Sequence, residues 1–178
     1  MLKELEIYID GASKGNPGPA GVGVVIAQDG QTIKNISVYL GDQTNNFAEY
    51  AALIFGLQEA LVLRANVARV YTDSQLLFRQ INSEYKIKSS NLIGLHQQAR
   101  HLLSAFDHVE IKYIPREENG GADKLAKKAI KSRTFNKEAQ NLVKRCGIKD
   151  KCKAQAEAAA LQIICREESP NSRGQRGR

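Results

Sequence analysis

A mixed α/β sheet with helices packed on its faces, followed by a basic helical extension, is the fold class predicted by the 178 residues. Three observations carry it. Period-two apolar segments follow one another over short joins, strand and helix patterns alternate after them, and charge and texture change beyond about Phe135.

The first strand covers residues 4 to 10, where Leu5, Ile7 and Ile9 alternate with Glu6, Tyr8 and Asp10. Residues 21 to 28 and 32 to 40 read as two more strands, joined at "QDGQ", where Asp29 and Gly30 suit a tight hairpin turn. Three successive strands over short joins make an antiparallel meander. From Asn46 to Leu63 the period lengthens: Tyr50, Leu53, Ile54, Leu57, Ala60 and Leu61 trace one helical stripe, with Thr44, Asn45 and Asn46 as cap groups before it. "VARVYTD" is a short apolar strand ending at Asp73, and a helix follows from about Ser74 to Asn82. "SEYKIKSSN" reads as a connecting loop, residues 91 to 105 as a helix, and "VEIKYI" as the last strand before Pro115. After "REENGG" a helix begins near Ala122 and turns Leu125, Ala126, Ala129 and Ile130 inward. Residues 136 to 145 and 150 to 166 read as further helices around Gly147, and the last dozen residues have no apolar period. The expected division is a domain over 1–134, a basic helical extension over 135–166 and a disordered basic tail over 167–178.

The net charge of +7 is unevenly placed. Residues 1–126 hold 12 basic and 14 acidic side chains, whereas residues 127–178 hold 14 basic and 5 acidic ones. Such a segment attracts a polyanion by counterion release. No apolar run approaches the length of a membrane span, and the opening "MLKELEIYID" lacks the pattern of a signal peptide, so a soluble cytoplasmic protein is expected. Cys146, Cys152 and Cys165 match no zinc spacing and read as reduced thiols.

Four acids fall at element ends. Asp10 ends the first strand and Asp73 the fourth; Glu49 and Asp123 are expected in the first turns of their helices. A parallel fourth strand beside the first brings Asp10 and Asp73 to one sheet edge. Singly, each acid has a local explanation as turn former, helix-dipole partner or N-cap. Jointly, with no Lys or Arg expected to neutralise them, they are costly unless a cation binds, and oxygen-only ligands favour Mg²⁺ or Mn²⁺ over a His/Cys metal. The glycine-rich loop lacks the end of a P-loop, HExxH and GxGxxG are absent, and His96, His101 and His108 fall where packing or surface roles suit them.

The blocks "YIDGASKGNPGPAGVGVVI", "TNNFAEYAALIFGLQEAL", "VYTDSQLLFRQIN" and "PREENGGADKLAKKA" resemble, in order and spacing, those of the type 1 ribonuclease H family over residues 1 to about 132. The resemblance implies a five-stranded RNase H-like sheet, an active site of Asp10, Glu49, Asp73 and Asp123 holding two Mg²⁺ ions, and cleavage of the RNA strand of RNA/DNA hybrids to 5′-phosphate and 3′-hydroxyl ends. Matched by block, it implies phosphate contacts from Asn16 and Thr44 and minor-groove contacts from Asn45, Asn46 and Gln75. It implies no protein partner, and a monomer is expected. Two departures stand out. The loop before the last acid has no His, and Arg116 is the first choice over Glu117 or Glu118 to take its part. The chain also has no Trp and lacks the basic protrusion of some bacterial relatives, so the basic extension is expected to supply the missing grip. The competing readings are a catalytically silent hybrid-binding module and a DNA-directed nuclease on the same fold.

Overall fold

The computed structural model describes residues 2–133. The helices expected over 136–145 and 150–166, the tail and the three cysteines lie outside the described residues.

Five strands form one sheet in the order β3-β2-β1-β4-β5. β1 (Glu4–Ser13), β2 (Gly18–Gln28) and β3 (Gln31–Gln43) are the antiparallel meander. Asp29 and Gly30 close its hairpin with φ of 52° and 75°, the left-handed pair that the short turn requires. β4 (Val67–Thr72) and β5 (His108–Tyr113) add in parallel, β4 beside β1 and β5 beside β4. The mixed five-stranded sheet is therefore as expected.

β1 runs three residues further than its apolar period suggests. Asp10, Gly11, Ala12 and Ser13 remain paired with Gly23, Val22, Gly21 and Ala20 of β2, whereas the pairing with β4 stops at Ile9↔Thr72. Asp10 is thus not the end of its strand. It is the first residue at which β1 loses its neighbour on the β4 side, and Asp73 is the first residue beyond β4.

One face of the sheet packs on α1 (Asn45–Val62). Leu5, Ile7 and Ile9 of β1, Val22, Val24 and Ile26 of β2 and Ala68 and Val70 of β4 are fully buried. α1 is not the one-striped helix that the period predicts, since Phe47 through Leu57 are all buried. Its outer side is covered by α3 (Ser90–Leu103), so both sides are apolar for separate reasons. The short α2 (Gln75–Ile81) joins β4 to this layer.

The other face packs on α4 (Gly120–Ser132), through Ala122, Ala126, Ala129 and Ile130. Gly23 lets it approach: a Cβ there would lie 2.0 Å from the Ala122 carbonyl oxygen. The "REENGG" stretch is not an open loop. Arg116–Asn119 form a 3₁₀ turn, and Gly120 and Gly121 already belong to α4. Helices therefore cover both faces, and among the described residues no helix is long and apolar enough to cross a membrane.

Candidate active site

A cleft of about 700 Å³ opens where the pairing of β1 with β4 ends. Asp10 enters it from β1, Asp73 from the residue after β4, and Glu49 from α1. Glu49 is not in the first turn of α1, which holds no acid. It is the fifth helical residue, one turn deeper, because α1 begins at Asn45 behind the Thr44 cap, whose Oγ1 accepts from Phe47 N at 3.2 Å. A role as helix-dipole partner is thereby removed, and the side chain is buried instead.

The buried carboxylates meet weak compensation. Glu49 Oε2 accepts one hydrogen bond, from Gly11 N at 3.1 Å. Burial, with the nearby charges of Asp10 and Asp73, pushes its carboxyl well above the ordinary range, and the Gly11 bond opposes this only partly. Burial likewise pushes Asp10 up to about 7, with Asp73 and Asp123 adding to the shift and Arg116 and Lys127 opposing it. Asp73 accepts from Asn119 Nδ2 at 2.9 Å. It is not an N-cap: Ser74 caps α2, its Oγ accepting from Leu77 N at 3.4 Å.

Asp123 corrects two expectations. It does stand in the first turn of α4, but the sequence pattern also puts it on the core-facing stripe, three residues before Ala126 and seven before Ile130, whereas its side chain lies at the cleft rim beside Arg116 and Lys127. Nor is it without basic neighbours: Arg116 Nη2 lies 3.0 Å from Oδ1 and Lys127 Nζ 2.6 Å from Oδ2. Burial alone would raise its pKa, yet the bonds from Lys127 and Arg116 hold it below the usual carboxylate value. The four acids are gathered in one region but do not close on a common point: among the described residues, no three His, Cys, Asp or Glu side chains are placed to hold one ion.

The donor set fits hard divalent cations on its chemistry. Its oxygens come from carboxylates alone, and two of the acids, Asp10 and Glu49, are each only 6% exposed and are pushed towards protonation, which Arg116, and at Asp10 also Lys127, offsets only in part. Asp123 meets this set with each of its oxygens already engaged, by Arg116 and by Lys127.

Among the residues expected to touch substrate, Asn45, Gln75 and Arg116 line the cleft. Asn16 does not line it but joins its wall, since its Oδ1 accepts from Asn45 N at 3.3 Å. Asn46 is exposed one residue further along α1, and Thr44 is occupied as the cap. His101 and His108 are exposed, and His96 packs edge-on against Tyr50, 6.2 Å between ring centres, so the packing and surface roles hold. Lys14, Lys127 and Lys131 also line the cleft, and sequence reasoning does not single them out. The i, i+4 spacing of Asp123 and Lys127 is a signal that could have found that pair. Asn119, which holds Asp73, carries no signal.

Comparison with known proteins agrees with this layout. Residues 8–129 match the family described as reverse transcriptase-like. A bifunctional protein of Mycobacterium tuberculosis is 40% identical over 126 residues, covering 70% of this chain and 35% of its own length. The chain therefore spans about a third of the mycobacterial relatives it matches. The crystal structure of RNase H1 from Halobacterium salinarum superposes with a TM-score of 0.71 at 38% identity, covering 72% of this chain and 98% of that one. LC11-RNase H1, solved in complex with an RNA/DNA hybrid, gives 0.68 at 38% identity over 72% of this chain and 98% of its own.

Proposed function

The chain belongs to the reverse transcriptase-like family, with an RNase H fold, and from that premise we propose that it is a ribonuclease H, hydrolysing the RNA strand of RNA/DNA hybrids. The observation that carries the reading is the meeting of Asp10, Glu49 and Asp73 in one cleft, from three elements distant in sequence, with Asp123 on its rim. Hybrid binding by a structural neighbour at 38% identity supports the substrate class.

In this reading Asp10, Glu49, Asp73 and Asp123 hold two Mg²⁺ ions, with Mn²⁺ as an alternative. When bound, such ions supply charge stabilisation on both sides of an in-line displacement at phosphorus, which yields 5′-phosphate and 3′-hydroxyl ends. The chain's own residues do the rest. Gly11 N–H fixes the Glu49 carboxylate against β1, and Asn119 fixes that of Asp73. Arg116, whose Nη2 holds Asp123 Oδ1 through a single contact and whose side chain is exposed, is placed to exchange that carboxylate for a phosphate oxygen, a charge-assisted hydrogen bond in either case. Asn45, Asn46 and Gln75 offer short amides, and Asn16 and Thr44 stand at the same wall; groups of this kind suit the 2′-hydroxyls and phosphates of a shallow minor groove rather than a base sequence.

End-labelled RNA/DNA hybrid, DNA duplex and RNA duplex, each incubated with the protein with and without Mg²⁺, test the proposal. The expected outcome is scission of the hybrid's RNA strand alone, and only with the metal. Cutting of the DNA duplex would favour a DNA-directed nuclease, and binding of hybrid without cutting would favour a silent module.

The domain division at 134 is part of the same proposal. The last turn of α4 lines the cleft through Ile130 and Lys131, so α4 itself ends beside the place where nucleic acid would lie. Removing residues 136–178 is expected to weaken hybrid binding and make log Kd less steep against log salt, by roughly one unit of slope for each phosphate no longer neutralised. Filter binding at several salt concentrations reads this, and an unchanged slope would assign the segment no role in binding.

A further inference from the structure

Asn119 has a place in the site that its position in the sequence does not announce. It closes the 3₁₀ turn Arg116–Asn119, stands immediately before α4, and is 1% exposed. Its Nδ2 donates to the Ile9 carbonyl oxygen at 2.8 Å and to Asp73 Oδ1 at 2.9 Å. A backbone carbonyl only accepts, as does an ionised carboxylate, so the amide nitrogen and not its oxygen must face this pair. The Oδ1 at the other end is buried and meets no donor among the described residues. An amide buried with one end unsatisfied is unfavourable, which asks what the satisfied end accomplishes.

The answer lies in what the two bonds join. Ile9 is the last β1 residue paired with β4 and immediately precedes Asp10. Asp73 follows β4. Asn119 itself lies four residues before Asp123, across the start of α4. One side chain thus links the three segments that carry Asp10, Asp73 and Asp123.

We infer that Asn119 is a positioning residue of the carboxylate site: its Nδ2 fixes the Asp73 carboxylate beside Asp10 and ties the start of α4, and so Asp123, to the end of the β1–β4 pairing. This rests on the proposed role of those acids in holding divalent ions. A side chain that merely stabilised the fold would lower the melting temperature on removal and leave the surviving site unchanged. A positioning residue changes ion affinity and turnover.

The test compares Asn119→Ala with Ser37→Ala in the full chain. Ser37 Oγ donates to the Leu125 carbonyl at 2.8 Å, a tie between β3 and α4 outside the cleft. Calorimetric titration with MnCl₂ in the absence of nucleic acid is expected to show affinity about tenfold weaker for Asn119→Ala, with kcat on hybrid lower by about 10- to 100-fold and KM within about twofold. Ser37→Ala is expected to lower the melting temperature without moving either quantity. Wild-type affinity and kcat in Asn119→Ala would overturn the inference alone. If that variant does not fold, the wild-type protein supplies the readout: the Asn119 side-chain NH₂ resonances are expected to shift during a Mg²⁺ titration with the same midpoint as Asp73, and static resonances would overturn the inference. A wild-type protein that bound neither metal and cut no hybrid would instead overturn the proposed function, and this inference with it.

Discussion

The Asp10→Asn protein is expected to cut hybrid at least ~10³-fold more slowly than the wild type, and to melt at a higher temperature when both are free of metal. The first effect follows from the proposed role. Removing a ligand that places charge stabilisation at the scissile phosphate forfeits several kcal/mol, and each 1.36 kcal/mol is a tenfold change in rate. The second needs no metal and follows from burial and the neighbouring carboxylates. Asp10 is 6% exposed, and its carboxyl is pushed up to about 7 by burial and by Asp73 and Asp123. An isosteric amide keeps the shape and removes the charge.

The sign of the pH dependence distinguishes this from a generic stabilisation. A carboxyl at about 7 in the fold and 3.8 when unfolded holds its proton in the native chain over a range where the unfolded chain has released it. Its contribution to stability is therefore fully present below about pH 4, declines as pH rises through that window, and is gone above about 7. At 1.36 kcal/mol per pKa unit the ceiling is ~4 kcal/mol, and water and counter-ions at the cleft bring the expected difference to ~1–2 kcal/mol. Melting curves in EDTA should show Asp10→Asn gaining on the wild type from pH 4.5 to 7.5. Added Mg²⁺ should then raise the wild-type midpoint and leave the variant nearly unmoved. A variant that melts below the wild type at pH 7.5 without metal would contradict the claim that these acids are gathered at a cost to the fold.

How far the site can be read without the structure depends on the range over which each interaction acts. The period of Leu5, Ile7 and Ile9, the Asp29–Gly30 turn and the Thr44 cap are set within a few residues, and the chain displays them directly. The end of β1 is not displayed in this way, because Gly11, Ala12 and Ser13 owe their extended state to β2, not to their own propensities. One stripe is visible on α1 because the second is buried by α3, a helix that begins about thirty residues further on. The four acids stand out by residue type, although only Asp73 and Asp123 stand at element ends, with Asp10 inside β1 and Glu49 a turn into α1. What surrounds them does not: Arg116 reaches Asp123 across the change from 3₁₀ to α-helix, and Asn119 reaches Ile9 over 110 positions. Ligand-like side chains are legible one at a time, whereas the groups that hold them are defined by the fold.

Gly11 is where fold and site depend on the same residue, and Gly11→Ala is expected to damage stability and turnover together. A Cβ on Gly11 would lie 2.2 Å from both the Ala48 carbonyl carbon and Glu49 N, which are backbone atoms of α1 and cannot rotate aside. The helix must move away from β1, against a layer in which Phe47 through Leu57 are buried. Overpacking of a tight core costs about 1–3 kcal/mol and more where backbone must shift. We therefore expect destabilisation by ~3 kcal/mol or more in urea unfolding. The displacement also lengthens the bond from Gly11 N to Glu49 Oε2, so any folded fraction should turn hybrid over at least ~10²-fold more slowly, on the scale of removing one preorganised hydrogen bond. Gly94 is the control for the chemistry of the change. It lies within α3, and a Cβ there meets nothing within 4 Å. Gly94→Ala should stabilise by ~0.5–1 kcal/mol through helix propensity and leave turnover intact. The same added methyl group is thus expected to act in opposite directions at the two positions. Equal and small effects at both would mean that α1 does not approach β1 as closely as the placement of Glu49 requires.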